Sequence, residues 1–417
     1  MARSKVLAHQ ATTVFKPRTP ITTKDLFAGR WGELTEISDA VRQAGLHVVI
    51  YGERGVGKTS LANVVNPTLW AMDSYGKDED EVPRRLVVTA VANSGDSFSS
   101  IWHRLFKQIQ WGNPDPEADD SKTVSTQERF LLPQQLGIDD VRMVLSQAPG
   151  TVFIIDEFDQ SPRPISKDFT ELIKALSDLS VDCTVILVGV SETVENLVAD
   201  HASINRAIAQ VRLKRMKTEE LSVILKNAEK TLKIQFADDA AKLIVHVSQG
   251  LPHYTHLIGL HAVRSAAQRL SLSQVDRDDV LDALKKAVKQ AEETVTEKHS
   301  TAIHSSQGNA LYRQVLLAAA ISATRSHDAL GYFSPGAMVE PLGSILKRPV
   351  KIATFTNHLR EFCEEKRGAV LERDGQPWGF RYRFRDPLLV PYVFMDGLDA
   401  GITSGHGLVQ MLNEEID

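Results

Sequence analysis

The stretch YGERGVGKTSLANVV, Tyr51–Val65, directly follows the apolar run LHVVI (46–50). A strand-like run with β-branched residues gives way to a loop with three glycines, then a lysine, then a segment patterned as a helix. Glycine inside regular structure costs roughly 0.5–1 kcal/mol relative to alanine, so such a loop gives up order for a reason. The spacing Gly52-x-x-x-x-Gly57-Lys58-Thr59 supplies one: glycines let successive backbone N–H groups curl around a phosphate, and the helix start adds partial positive charge. In this reading Gly52, Glu53, Arg54, Gly55, Val56, Gly57 and Ser60 line the phosphate cradle. Lys58 reaches the β and γ phosphates, and the Thr59 hydroxyl ligates Mg²⁺.

A phosphate loop alone cannot drive hydrolysis; it needs a metal anchor and a positioned water. The strand pattern TVFIIDEFD (151–159) carries carboxylates at its end. Asp156 is expected to hold Mg²⁺ through its hydration shell. Glu157, on the other face of the strand end, is expected to polarise the attacking water. Asp159 reads as a turn residue or helix cap.

Further strands, RLVVTAVAN (85–93) and CTVILVGV (183–190), alternate with amphipathic helix patterns such as SFSSIWHRLFKQI and DFTELIKALSDLS. Apolar strands alternating with helices specify an α/β fold with a parallel sheet covered on both faces. The first two dozen residues are polar and aperiodic and read as an extended arm. Residues 112–127, acidic and with two prolines, read as a surface loop. From about Lys217 the patterns are helical only. Near Ala310 a third region begins, with three helix patterns and a hairpin turning near Asp374-Gly375, the layout of a winged helix. The resulting divisions are an arm at 1–25, a nucleotide-binding domain at 26–216, a helical lid at 217–300, a winged helix at 301–400 and a tail at 401–417.

The 417 residues are 42% hydrophobic and 24% charged with a net charge of -5, which excludes a protein that coats nucleic acid through its overall field. No run approaches the roughly 18 apolar residues of a membrane span. The two cysteines, Cys183 and Cys363, fit a reducing compartment and rule out a thiolate metal cluster. A cytoplasmic protein without membrane contact is expected.

On these residues the chain resembles the AAA+ ATPases, in particular the origin-recognition (Orc/Cdc6-like) and transposition (TniB-like) branch, with a second likeness to the STAND signalling ATPases. The resemblance runs from about Leu26 to Leu398 in layout. It implies a P-loop NTPase sheet of AAA+ type followed by a helical lid and a C-terminal winged helix, with ATP and Mg²⁺ bound. It also implies places for further residues. Gly29 and Arg30 of LFAGRWGEL match the segment near the adenine, or form a helix-entry turn. Ser191 stands where a polar sensor contacts water and γ-phosphate, although asparagine or threonine is usual there, or it caps the next helix. Asn93 matches a residue restraining the catalytic glutamate, or is a strand-end turn residue. Arg206 lies where one subunit presents an arginine to its neighbour's nucleotide, with Arg212 and Arg215 as competitors. Gly250-Leu251-Pro252 resembles the STAND glycine–x–proline signature, with Pro252 near the base. His253, His256 and His261 lack a carboxylate at ligand spacing and read as polar surface or nucleotide-proximal groups.

In the wing, Arg381, Arg383 and Arg385 alternate with aromatic residues and fall on one face. The preceding helix pattern, KIATFTNHLREFCEE, buries Ile352, Phe355, Leu359 and Phe362 and carries Glu361, Glu364 and Glu365, which would repel DNA. The expectation is therefore an ATP-hydrolysing switch that forms a homo-oligomer and controls a protein partner. The alternative is a DNA-binding ATPase with its winged helix on duplex DNA, the acidic helix opposing the basic wing.

Overall fold

The computed structural model describes residues 2–23, 27–74, 85–112, 123–191, 193–198, 204–269, 274–305, 310–328, 331–376 and 379–413. They form two compact units, Pro20–Lys214 and Met1–Thr19 with Arg215–Asp417. No described helix is long and apolar enough to cross a membrane.

The first unit contains β1 (His47–Gly52), β2 (Val87–Val91), β3 (Gln110–Gly112), β4 (Thr123–Ser125), β5 (Thr151–Asp156), β6 (Cys183–Val190) and β7 (Ile208–Leu213). Five of them make one parallel sheet in the order β2-β5-β6-β1-β7. Every residue of β5 is buried and all but the last of β6, as expected of strands covered on both faces. The covering helices include Trp31–Val41, Lys58–Asp73, Phe98–Phe106, Ile138–Leu145 and Arg163–Asp178. A ring cluster fills one face: Trp102 packs 5.4 Å from Phe153 and 5.8 Å from Phe169, and Phe158 stands edge-on to Phe169 at 5.1 Å. Burying one such ring contributes about 1.5–3 kcal/mol, so Phe158 anchors the turn that follows β5. The expected loop at 112–127 is bounded instead by a two-stranded antiparallel ladder, Gln110↔Ser125 to Gly112↔Thr123, with residues 113–122 outside the described part. Trp111 supplies the reason, meeting Phe130 edge-on and donating its ring N–H to the Thr126 hydroxyl.

In the second unit, β8 (Gln235–Phe236) and β9 (Gln274–Val275) form a short parallel pair among the helices Thr218–Leu232, Asp238–Ser248, Pro252–Ala266 and Arg277–Gln290. Then come the helices Glu293–Ile303, Tyr312–Arg325, Val339–Leu346 and Thr356–Glu361, the hairpin β10 (Leu371–Asp374) and β11 (Arg381–Phe384), and the helices Leu389–Asp399 and Gly405–Asn413. The helix and hairpin order expected of a winged helix is present. Ile352, however, is 44% exposed, because the chain there makes a 3-10 turn out of phase with the buried Phe355, Leu359 and Phe362.

Two terminal segments differ from expectation. The arm is not extended: Ala2–Val14 is a helix. Leu7, Ala11, Val14 and Phe15 are buried at helical spacing. Phe15 sits against Gly259 of the helix Pro252–Ala266, where a Cβ would come within 2.5 Å of its ring. The tail region contains the helix Gly405–Asn413, which buries Leu408 and Met411. In both cases packing rather than local propensity stabilises the helix.

Of the three histidines, His256 and His261 are buried and His253 is half-buried. His253 holds the Pro17 carbonyl at 2.7 Å and His256 Nδ1 accepts the Lys16 N–H at 3.4 Å. Burial, then the neighbouring His253, pushes the His256 pKa down to about 4. His261 is buried and pairs with Gln290 at 3.0 Å.

Candidate nucleotide-binding site

The C-terminal ends of β1, β5 and β6 carry the motifs, so the sheet itself gathers them at one edge, the usual ligand edge of an open parallel sheet. After β1 the chain takes positive φ at Gly52 (152°), Gly55 (83°) and Gly57 (96°). A Cβ at Gly52 would fall onto the Leu213 carbonyl oxygen, so glycine is demanded there by close backbone approach as well as by φ. Gly57 caps the helix Lys58–Asp73. Val56 is buried, Thr59 and Ser60 are half-buried, and Glu53 and Arg54 are exposed. Ser60 Oγ accepts the Ile21 N–H at 3.1 Å.

Lys58 is the electrostatic centre. Its Nζ is buried and donates to the carbonyls of Gly52 at 3.1 Å and Glu53 at 2.8 Å. Among the described residues no carboxylate lies within ion-pair distance. Burial pushes its pKa down to about 8, against the opposing fields of Asp159, Asp156 and Glu53.

β5 ends at Asp156, which is buried and whose Oδ1 accepts the Glu157 N–H at 2.9 Å. Glu157 does not continue the strand. It adopts φ 53°, is exposed, and opens the 3-10 turn Phe158–Gln160. A non-glycine residue in this region stores about 1–3 kcal/mol of strain, a cost that clusters at functional sites. Buried Phe158 holds it there. Asp159, read from sequence as a turn residue, binds the Val190 N–H at 2.7 Å and lies close enough to Lys58 to be the largest favourable field on it. The signal was the fourth letter of DEFD.

Ser191 reaches the same edge through its backbone, N–H to Gly52 O at 3.3 Å, while its hydroxyl donates to the Thr193 carbonyl at 2.6 Å. Asn93 is exposed, and its side-chain oxygen accepts the Gly95 N–H at 3.0 Å in a local turn; among the described residues it makes no hydrogen bond to Glu157. The neighbouring Asp96 is clasped by Arg104 at 2.5 and 2.6 Å, which brings its pKa down to about 2. Gly29 and Arg30 both take positive φ, and buried Arg30 bonds Glu33 at 3.0 Å and the Lys214 carbonyl. Arg206 is 83% exposed in the turn before β7, 3.0 Å from Asp178. Arg212 is exposed on β7.

In the second unit Pro252 begins its helix and Gly250 (φ 75°) lies under the chain entering the unit. A Cβ there would come within 2.6 Å of Arg215 Cβ, and the Met216 N–H donates to Gly250 O at 2.8 Å. The wing arginines are matched by acids. Cross-strand register sets Arg381 opposite Asp374 and Arg383 opposite Glu372. Arg381 contacts Asp328 at 2.5 Å and Asp374 at 2.7 Å, Arg383 pairs with Glu372, and Arg385 lies 3.8 Å from Glu365.

Comparison with known proteins agrees with this edge chemistry. The family model described as Novel STAND NTPase 1 matches residues 20–329. Among solved structures the ORC2 protein of Aeropyrum pernix, determined as ADPNP and ADP complexes, is 16% identical, with 95% of this chain and 97% of that chain covered and a TM-score of 0.51. A Walker-type ATPase of Pyrococcus abyssi, PABY2304, is 14% identical over 91% of this chain and 99% of its own, with a TM-score of 0.52. These likenesses show a shared fold. A search of curated protein sequences returned no match.

Proposed function

Because the chain belongs to the Novel STAND NTPase 1 family, we propose that it is an ATP-binding and ATP-hydrolysing switch that self-assembles and acts on a protein partner. One observation carries the reading: a buried lysine at the mouth of the phosphate loop, held by two backbone carbonyls and, among the described residues, by no carboxylate at contact distance. Such a group is suited to receive an anion. The ADPNP and ADP bound to the Aeropyrum protein, which shares the fold, support a nucleotide as that anion.

Thr59 and Asp156 are the residues that would hold Mg²⁺, which when bound neutralises charge on the phosphates. Asp156 fits, being a buried carboxylate at a strand end beside the loop. Lys58 would leave its carbonyls for the β and γ phosphates. Glu157, exposed and fixed in its turn, would orient water and draw off its proton as the new oxygen–phosphorus bond forms and the bond to the leaving ADP oxygen breaks. Arg206, exposed and held, among the described residues, by the exposed Asp178, is available to a neighbouring subunit. Residues 217–300 serve as the lid, and the free thiols Cys183 and Cys363 fit a cytoplasmic setting. The acid-matched wing favours a protein partner over duplex DNA.

The test is the solution mass of Glu157→Gln with ATP, with ADP and with added duplex. The switch reading expects ATP-dependent assembly that persists because turnover is blocked. Undiminished hydrolysis in this variant would remove Glu157 from its role, and assembly seen only with duplex would favour the DNA reading.

A further inference from the structure

The pairing of β5 with β6 ends at Ile155↔Leu187, whereas β1 follows β6 as far as Gly52↔Val190. Among the described residues, the last residues of β6 therefore have a strand partner on one side only. On the other side the Asp159 side chain substitutes for a strand: its Oδ1 accepts the Val190 N–H at 2.7 Å, and its Oδ2 accepts the Gln160 side-chain amide at 2.9 Å. Gly189 makes room for this contact, since a Cβ there would lie 3.0 Å from Asp159 Oδ1 and 3.1 Å from its backbone nitrogen. Across the strand the Ser191 N–H bonds Gly52 O, the carbonyl that also holds Lys58 Nζ. One continuous chain of contacts thus joins the turn containing Glu157 to the end of β6 and on to the phosphate loop.

We propose that Asp159 is a positioning residue for phosphoryl transfer. Its carboxylate locks the turn that carries Glu157 to the end of β6, so that the water-orienting carboxylate and the phosphate loop hold one geometry. The role rests on the hydrolysis reading and adds to it a residue that touches neither nucleotide nor water. The positioning role is hydrogen-bond acceptance, which an amide oxygen can also supply; the field Asp159 exerts on Lys58 is a separate effect, which Asp159→Asn and Asp159→Ala remove alike.

The experiment compares Asp159→Ala, Asp159→Asn and Asp159→Glu in the full chain, measuring Mg-ATP binding, turnover, and amide exchange across residues 186–194 without nucleotide. Displacing a catalytic group by about 1 Å can cost about 10²-fold. Asp159→Ala is expected to lose that order in kcat with binding within about threefold, and to exchange faster at Val190. Asp159→Asn, which keeps the acceptor, should retain most of both. Asp159→Glu keeps the charge but moves the oxygen, and should fall with the alanine variant. An asparagine variant as damaged as alanine would overturn the proposal, as would a change confined to KM. If the parent binds Mg-ATP without turning it over, the hydrolysis reading fails by itself. The exchange arm then decides: unchanged protection at Val190 in Asp159→Ala removes the lock.

Discussion

Lys58, at the start of the helix that follows β1, and the wing arginines on and after β11 are cations that the chain answers in opposite ways. Lys58 is buried, and among the described residues its hydrogen-bond partners are the carbonyls of Gly52 and Glu53. Arg381 stands in the open with Asp328 and Asp374 both in contact, and Arg383 has Glu372 directly across the ladder. Partial charges do not compensate burial of a full charge, which is why the Lys58 pKa falls. An arriving phosphate relieves that penalty, whereas a phosphate approaching the wing must displace carboxylates. On the proposed reading, the same residue chemistry makes a binding site in one region and a closed surface in the other.

The largest effect expected from this contrast is at Lys58. Removing a charged donor to two phosphates forfeits about 3–4 kcal/mol, so Lys58→Ala should weaken Mg-ATP binding by about 10²–10³-fold. Nucleotide titration checks this, and affinity preserved in the variant would break the comparison at its root.

A second effect follows from the lowered pKa. Bound phosphate favours the charged amine, so binding takes up a proton wherever free Lys58 has lost one. Affinity is therefore full below about pH 8 and falls above it, by about tenfold between pH 7 and pH 9. Lys58→Arg, whose guanidinium stays charged throughout, should flatten the profile even if it binds less well. A parent profile flat to pH 9 would mean that Lys58 is not the buried, carbonyl-held group described.

What could be read beforehand and what could not divides along the same line. The phosphate loop, the acidic pair and the alternating strands are legible because their signals are local: neighbouring residues, fixed spacing, one strand at a time. Glu157 was placed on the opposite strand face, yet β5 stops one residue earlier and the turn is set by buried Phe158. Asp159 reads locally as a turn residue or helix cap and does lie in the turn, but its bond to Val190, thirty-one residues away, leaves no local signal. The N-terminal helix depends on Gly259 and His256, more than two hundred residues downstream. Arg381 and Arg383 alternate along β11, and Arg385 follows its end. Their neutralisation depends on hairpin register and on Asp328, neither of which alternation within β11 reveals.

The smallest expected effect sharpens the comparison most, because it tests the wing by releasing cations rather than deleting them. If acids close this surface, Glu372→Gln with Asp374→Asn and Asp328→Asn should remove the carboxylates facing Arg383 and Arg381 while leaving the hairpin intact, since the amides still accept hydrogen bonds. Two uncovered arginines would add about two phosphate contacts. Duplex affinity at low salt should then rise by about 3–10-fold over the parent, with a salt slope steeper by about 2. Arg381→Ala with Arg383→Ala in the parent background should change duplex binding little. The opposite pattern, in which the parent already binds duplex with a steep salt dependence and the alanine pair abolishes it, would make the carboxylates displaceable partners. The wing would then belong with Lys58 as a cation held ready for phosphate, and the DNA-anchored reading would take precedence over a protein-facing switch.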